Sequence, residues 1–153
     1  MKTVKNLYPR IIELKNLYNA FKKASKGKGW KPYVDQFKLN LEKELFQLRE
    51  DLYSKTYQPG DYYNFYITMP KRRLVSAAPF RDRVVHHAIC DILEPIYEKI
   101  FIYDSYACRK GKGQHQAANR FTQFCRNNKY VFKCDIQKYF PSIDHEILFI
   151  SIH

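Results

Sequence analysis

The sequence predicts an α+β fold, and three observations lead to that prediction. Apolar residues recur at helical spacing over several long stretches. A run rich in Tyr, Phe and Ile, 62–69, is separated by a turn at Pro70-Lys71 from a partner strand at 72–78, and a short aromatic and β-branched run, 130–132, follows a polar turn. With 153 residues, 45% of them apolar, the chain can bury the core of one domain of ordinary size.

Two helices are predicted in the amino-terminal third. The first runs from Leu7 to Lys23, and the second starts at a capping Asp35 and ends near Tyr53. The second helix is expected to bury an apolar stripe made of Phe37, Leu41, Leu45, Phe46, Leu48 and Leu52. Between the helices, residues 22–32 hold five lysines, which suit either a contact with a phosphate backbone or a solvated loop.

A hairpin is predicted next, with strands at 62–69 and 72–78. Its turn presents Lys71, Arg72 and Arg73 together. Guanidinium groups bind phosphate oxygens through two parallel hydrogen bonds, so this basic tip is a candidate phosphate site. A basic tip without a ligand is the alternative.

A long helix is predicted over Phe80–Lys99 because its apolar residues form a broad face. Arg81, Asp82 and Arg83 lie in its first turn, where an acidic side chain is favoured by the helix dipole. The adjacent His86 and His87 point about 100° apart on a helix, which makes a shared metal ion difficult.

The loop Ser105–Gly113 combines two glycines with Arg109, Lys110 and Lys112. Glycine lets a backbone approach a ligand closely, although two glycines alone are weak evidence for phosphate binding. A helix is predicted over Gln114–Asn127 with an inward face formed by Ala117, Ala118, Phe121, Phe124 and Cys125.

A short buried strand, Tyr130–Phe132, is predicted to lead to Asp135. A carboxylate at the end of a core strand is costly to bury unless it is paired or binds a cation, so Asp135 is either a metal ligand or a strand-end cap. Phe140 follows, beside Pro141, and Asp144 is expected to cap a last helix.

The composition favours a polyanionic partner. Lys and Arg outnumber Asp and Glu by 27 to 15, which gives a net charge of +12. The aromatic fraction of 16% suits stacking on bases as well as core packing. The four cysteines match no paired zinc-binding pattern, and we expect mostly buried free thiols in a reducing cytoplasm; no apolar run is long enough for a membrane span.

Three ordered blocks resemble one known family. The stretch from Phe132 to His145 resembles the first catalytic motif of reverse transcriptases, while Arg81–Ile89 and Ser105–Gly113 resemble the blocks that precede it. The likeness is greatest to the diversity-generating retroelement type, with the retron and group II intron types near. It covers roughly residues 10 to 149.

That resemblance implies an RNA-directed DNA polymerase that uses two Mg²⁺ ions. Asp135 and the carbonyl of Ile136 would be metal ligands, and Phe140 would stack under the sugar and favour deoxynucleotides. Arg72 or Arg73, with Lys71, would bind the nucleotide triphosphate. The expected nucleic-acid contacts, to an RNA template and a DNA primer, are Arg81, Arg83, Arg109, Lys110 and Lys112.

The resemblance also implies an incomplete domain. Residues 1–56 would form an amino-terminal helical segment, 57–129 the fingers region, and 130–153 the start of a ferredoxin-like palm. The family's Tyr-X-Asp-Asp motif does not occur in the sequence. We therefore expect an amino-terminal fragment that is inactive alone and requires the missing palm and thumb, with an accessory protein as a further partner. The alternative is a non-catalytic, basic RNA-binding remnant.

Overall fold

The structure is a computed structural model that describes residues 4–152. They form two compact units, one up to Phe101 and one from Ile102 onward. The first unit contains α1 (Leu7–Ile11), α2 (Leu14–Ser25), α3 (Pro32–Leu39), α4 (Leu41–Tyr53), β1 (Tyr63–Ile67), β2 (Arg73–Ala77) and α5 (Phe80–Tyr97). The second contains α6 (Gln114–Asn127), a 3₁₀ turn (Phe140–Ser142) and α7 (His145–Ile152). Helices combined with a small separate sheet fit the predicted α+β class.

The core of the first unit lies among its helices. The large side chains with the least exposure are Leu17, Leu48, Val34 and Val84. Phe37 stacks on Phe21 with ring centroids 5.7 Å apart and meets Phe80 edge-on at 5.2 Å. Since aromatic pairs of this kind stabilise beyond their buried area, this cluster joins α2, α3 and α5 firmly.

The first predicted helix is interrupted. Glu13 takes an extended backbone, so α1 ends at Ile11 and α2 starts at Leu14. The side-chain amide of Asn16 donates hydrogen bonds to the carbonyls of Ile11, at 2.9 Å, and Ala88, at 3.0 Å. One amide thus satisfies a helix-end carbonyl of α1 and also joins α2 to α5.

The second predicted helix also divides, and it begins earlier than expected. Pro32 occupies the first turn of α3, where a missing N–H costs nothing. Asn40 separates α3 from α4 with a non-helical backbone. The prediction that Phe46 is part of the core was wrong: its side chain is 57% exposed, because the buried face of α4 carries Leu45, Leu48 and Leu52 instead.

The hairpin and the two following helices agree with the sequence. β1 and β2 pair antiparallel from Tyr63 opposite Ala77 to Ile67 opposite Arg73. The helix α6 has the predicted bounds, and α5 ends two residues before the predicted Lys99.

The strand predicted at Tyr130–Phe132 is absent, and the chain there is irregular. Tyr130 is 90% exposed and Phe132 89% exposed. A strand needs a neighbour to satisfy its backbone, and within residues 4–152 the two strands that form pair only with each other. Apolar β-branched composition is therefore not sufficient to form a strand at this point.

Burial was also overestimated for the cysteines and for α6. Cys90, Cys108, Cys125 and Cys134 are all free and exposed. On α6 the predicted inward face is open, as the exposed rings of Phe121 and Phe124 demonstrate. Over the described part of the chain, no helix is both long and apolar enough to cross a lipid bilayer.

Candidate nucleotide and nucleic-acid site

The hairpin tip, Lys71–Arg73, presents three exposed cationic side chains. The guanidinium carbon of Arg72 lies 4.4 Å from the ring centroid of Tyr66, at the end of β1. A cation over an aromatic face is held electrostatically while its N–H groups still point outward. The tip therefore offers an oriented guanidinium beside two further positive charges.

Arg81, at the start of α5, is engaged inside the first unit. It forms an ion pair with Asp51 of α4, and both side chains are partly exposed. Hydrogen bonds from Gln47 and then from Arg81 hold the pKa of the Asp51 carboxyl below its usual range. Arg81 thus fastens α5 to α4, which reduces its freedom to follow a nucleic acid.

Asp82, in the first turn of α5, is buried, with 4% of its surface exposed. Its carboxylate accepts hydrogen bonds from the Tyr57 hydroxyl, at 2.5 Å, and from the Gly60 amide, at 2.9 Å. Burial, and then the bond to Asp82, raise the pKa of Tyr57 well above its ordinary value. A Cβ at Gly60 would come within 2.9 Å of the Pro79 ring, so glycine permits this close approach. The chain segment that leads into β1, which contains Tyr57 and Gly60, is thereby attached to α5.

Arg83 differs from its neighbours because no acidic side chain pairs with it in the described chain. Its guanidinium lies 4.8 Å from the Tyr33 ring centroid and 5.5 Å from that of Phe80. Its Nε is buried without a hydrogen-bond partner among the described residues. Of the two arginines predicted here to contact nucleic acid, Arg83 is the one with an uncompensated charge.

The lysine-rich segment 22–32, which covers the end of α2 and the turn before α3, contains one aromatic side chain, Trp30. Lys31 lies 3.9 Å from the ring centroid of Trp30, and Trp30 is 72% exposed. Lys23 instead pairs with Asp91 of α5. The segment thus exposes a large aromatic ring beside positive charge, a combination found where proteins contact single-stranded nucleic acid.

In the second unit, two of the three cations of the Ser105–Gly113 loop bind backbone carbonyls at the start of the loop or just before it. Arg109 donates to the carbonyls of Ile102, at 2.9 Å, and Ser105, at 3.0 Å. Lys112 donates to the carbonyl of Tyr103, and its Nζ lies 4.0 Å from the centroid of the Tyr103 ring. Lys110 is exposed.

Asp104 and Arg120 complete this arrangement, and sequence reasoning missed both. Arg120 contacts both carboxylate oxygens, at 2.9 and 3.4 Å, and the Tyr106 hydroxyl donates to the same carboxylate at 2.9 Å. Hydrogen bonds from Arg120 and then Tyr106 lower the pKa of Asp104. No sequence pattern links an acid before the loop to one arginine of the following helix.

The residues around Asp135 lie on exposed, irregular chain. Ile136 is 66% exposed, and Phe140 is 80% exposed with its ring against Tyr139 at 5.1 Å. Asp144 caps α7 as predicted, because it accepts from the amides of Glu146, at 2.9 Å, and Ile147, at 3.1 Å.

Asp135 does not complete a metal site within the described chain. Residues 4–152 bring no three His, Cys, Asp or Glu side chains together in a way that could hold an ion. Mg²⁺ prefers octahedral oxygen coordination, and Asp135 supplies one carboxylate toward it. The metal and nucleotide roles of Asp135, Ile136 and Phe140 stay predictions.

No protein-family model matches this chain. Protein YkfC of Escherichia coli (strain K12) is 29% identical over 119 residues, 73% of this chain and 31% of YkfC. Group II intron-encoded protein LtrA of Lactococcus lactis subsp. cremoris is 26% identical over 141 residues, 90% of this chain and 23% of LtrA. Nuclear intron maturase 2, mitochondrial, of Arabidopsis thaliana is 32% identical over 87 residues, 46% of this chain and 12% of the maturase.

The matched part is therefore less than a third of the length of each of these relatives. Two of these relatives have names that refer to introns, which agrees with the predicted resemblance to reverse transcriptases in general. They do not distinguish the diversity-generating type from the other retroelement types. These distant similarities support a reverse-transcriptase-related family for this chain.

Proposed function

We propose that this chain is the amino-terminal part of an RNA-directed DNA polymerase, the part that binds RNA and the incoming nucleotide. The similarity to LtrA over 90% of the chain is the observation that carries the proposal. The arrangement of cations adds support: the hairpin tip presents three exposed positive charges, and Arg83 has no acidic partner in the described chain. Uncompensated charges of this kind release counterions when they meet phosphate.

The predicted site residues that remain exposed or without an acidic partner take the following roles in this proposal. Arg72, held over Tyr66, and its neighbours Lys71 and Arg73 bind the triphosphate of a deoxynucleotide. Arg83 contacts the RNA template or the DNA primer. The exposed ring of Phe140 stacks under the sugar of the incoming nucleotide.

Catalysis requires groups beyond those described. Asp135 is one carboxylate, and nucleotidyl transfer with two Mg²⁺ ions needs more hard oxygen ligands than it supplies. We therefore expect this chain alone to bind RNA without extending a primer. A polypeptide that supplies the remaining palm carboxylates, within the same protein or as an accessory protein, would complete the site.

A non-catalytic RNA-binding protein is the second candidate. The net charge of +12 and the exposed basic hairpin tip would serve RNA binding without any metal ion. Under this alternative the basic surface functions, whereas Asp135 has no chemical role and its replacement changes nothing.

Two measurements test the proposal and separate the candidates. RNA affinity is measured by fluorescence anisotropy over a salt series for the wild type and for Arg72→Gln, with Lys43→Gln on α4 as a control of equal charge loss. We expect the hairpin variant to bind a Mg²⁺–deoxynucleotide and primed RNA more weakly than the control. Equal affinity of both variants would contradict a role for the hairpin tip.

The second measurement is primer extension with the longest polypeptide encoded in the same reading frame. Extension that requires Mg²⁺ and disappears in Asp135→Asn would support the polymerase. If polypeptides from that reading frame bind RNA but none extends a primer, the result would support the second candidate, a non-catalytic RNA-binding protein.

A further inference from the structure

We infer that Asp104 and Arg120 are a positioning pair that sets the conformation of the Ser105–Gly113 loop, and that Lys110 is the loop's contact with phosphate. The inference rests on the proposed function, because it assigns the loop an RNA partner. It also changes the prediction for Arg109 and Lys112, which become structural residues of the loop.

Arg120 links the two stretches of chain that flank the Ser105–Gly113 loop. Arg120 belongs to α6, which directly follows the loop, and Asp104 directly precedes it. The guanidinium reaches both carboxylate oxygens, at 2.9 and 3.4 Å, so the pair has the two-point geometry that a single charge lacks. The guanidinium also lies 4.6 Å from the Phe124 ring centroid, which restricts its orientation further.

The two inward cations bind the second half of the loop to the chain at its start and just before it. Arg109 binds the carbonyls of Ile102 and Ser105, and Lys112 binds that of Tyr103 while its ammonium lies against two tyrosine rings. Gly111 and Gly113 have φ values of 73° and 113°, a backbone region that favours glycine. The loop is thus folded around the side chains that its sequence would suggest for ligand binding.

Lys110 is placed differently from these two cations. It is exposed, and within residues 4–152 no hydrogen bond or ion pair engages its ammonium. It precedes the left-handed turn at Gly111, so the ordered loop determines where its side chain starts. An ammonium held on an ordered loop loses less freedom on binding phosphate than one on a mobile loop.

The pair is exposed enough to be tested without unfolding the protein. The side chains of Arg120 and Asp104 are each 37% exposed. Exposed ion pairs contribute little to global stability, so variants of this pair should fold. Their effect should be confined to the loop.

The first test measures loop order with trypsin, which cleaves after the loop's own Arg109, Lys110 and Lys112. Mass spectrometry follows cleavage in the wild type, Arg120→Gln, Arg120→Lys and Asp104→Asn. Arg126→Gln is the matched control, because it removes the same charge from the last turn of α6. We expect loop cleavage to be about two- to five-fold faster in Arg120→Gln and Asp104→Asn, with part of the protection restored in Arg120→Lys. Cleavage at the control rate in both would overturn the positioning role.

The second test measures the RNA affinity of Asp104→Asn, for which an effect of net charge and an effect of loop position predict opposite changes. Asp104→Asn raises the net charge of the protein by one, which by electrostatics alone strengthens binding to single-stranded RNA. A positioning role predicts weaker binding, by about two- to five-fold, with an unchanged dependence on salt. Lys110→Gln should instead lower the slope of log affinity against log salt by about 0.7, the value for one phosphate contact on a single strand.

The results distinguish this inference from the proposed function. Stronger RNA binding by Asp104→Asn, or an unchanged salt slope in Lys110→Gln, would overturn the inference while wild-type RNA binding stands. If the wild type does not bind RNA, the proposed function and the role of Lys110 both fail, and the cleavage rates still decide whether Asp104 and Arg120 order the loop.

Discussion

Replacing Asp82 with alanine should be among the most destabilising single changes in the first unit. The change leaves the Tyr57 hydroxyl and the Gly60 amide without their acceptor. Hydrogen bonds to a charged group contribute about 1.5–3 kcal/mol each, so two independent bonds would give roughly 3–6 kcal/mol. Because they share one carboxylate and water can reach the half-buried Tyr57, we expect a loss of about 3 kcal/mol in the free energy of unfolding.

Urea unfolding followed by far-ultraviolet circular dichroism measures this loss. With a slope of about 1–2 kcal/mol per molar urea, the midpoint should fall by roughly 2 M, and Asp61→Ala, an exposed neighbour, should leave it in place. Adding Tyr57→Phe to Asp82→Ala should cost about 1 kcal/mol less than Tyr57→Phe alone, because their bond is already lost. The reasoning is refuted if Asp82→Ala lies within about 0.5 kcal/mol of the control or if the two changes are additive.

Three further predictions concern the same unit. Gly60→Ala should destabilise it by about 1–3 kcal/mol in urea unfolding, because the new Cβ would meet the Pro79 ring at 2.9 Å; a neutral result would mean that the ring moves freely. The raised pKa of Tyr57 means that the folded state holds this proton more tightly. Its contribution is present below the unfolded pKa of about 10 and is lost as pH rises through the folded pKa, so the wild type should lose more stability above about pH 10 than Tyr57→Phe; parallel pH profiles would contradict this. Leu17→Ala, at a fully buried position, should cost about 2–5 kcal/mol in thermal or urea unfolding, whereas a change under 1 kcal/mol would indicate a core that collapses around the cavity.

The sequence patterns correctly predicted those helices and strands that depend mainly on residues close to one another in the chain. The hairpin and α6 were found because strand composition around a turn, and helical spacing over fourteen residues, act through near neighbours. The break at Glu13 was missed because the apolar helical spacing continues through it; in the structure the Asn16 amide bonds the carbonyls of Ile11 and of the distant Ala88. The strand at 130–132 was wrong because strands depend on partners elsewhere in the chain.

The candidate site shows the same division. Residue type and family resemblance selected Arg81, Arg109 and Lys112 as cations for nucleic acid. In the structure Arg81 pairs with Asp51, and Arg109 and Lys112 bind backbone carbonyls at or just before the start of their loop. A positive charge in the sequence does not specify whether an acid, a carbonyl or a ligand will be opposite it, since that depends on residues up to 30 positions away, as for Asp51 and Arg81.

The Gly60 amide provides a way to observe the first unit in motion. Its hydrogen exchanges with solvent only after it leaves the buried carboxylate of Asp82. The exchange rate of this one amide therefore reports how often the chain leading into β1 detaches from α5. A nucleotide that binds at the hairpin tip and slows exchange at Gly60 would show that the hairpin is held more firmly to the helix when the ligand is present.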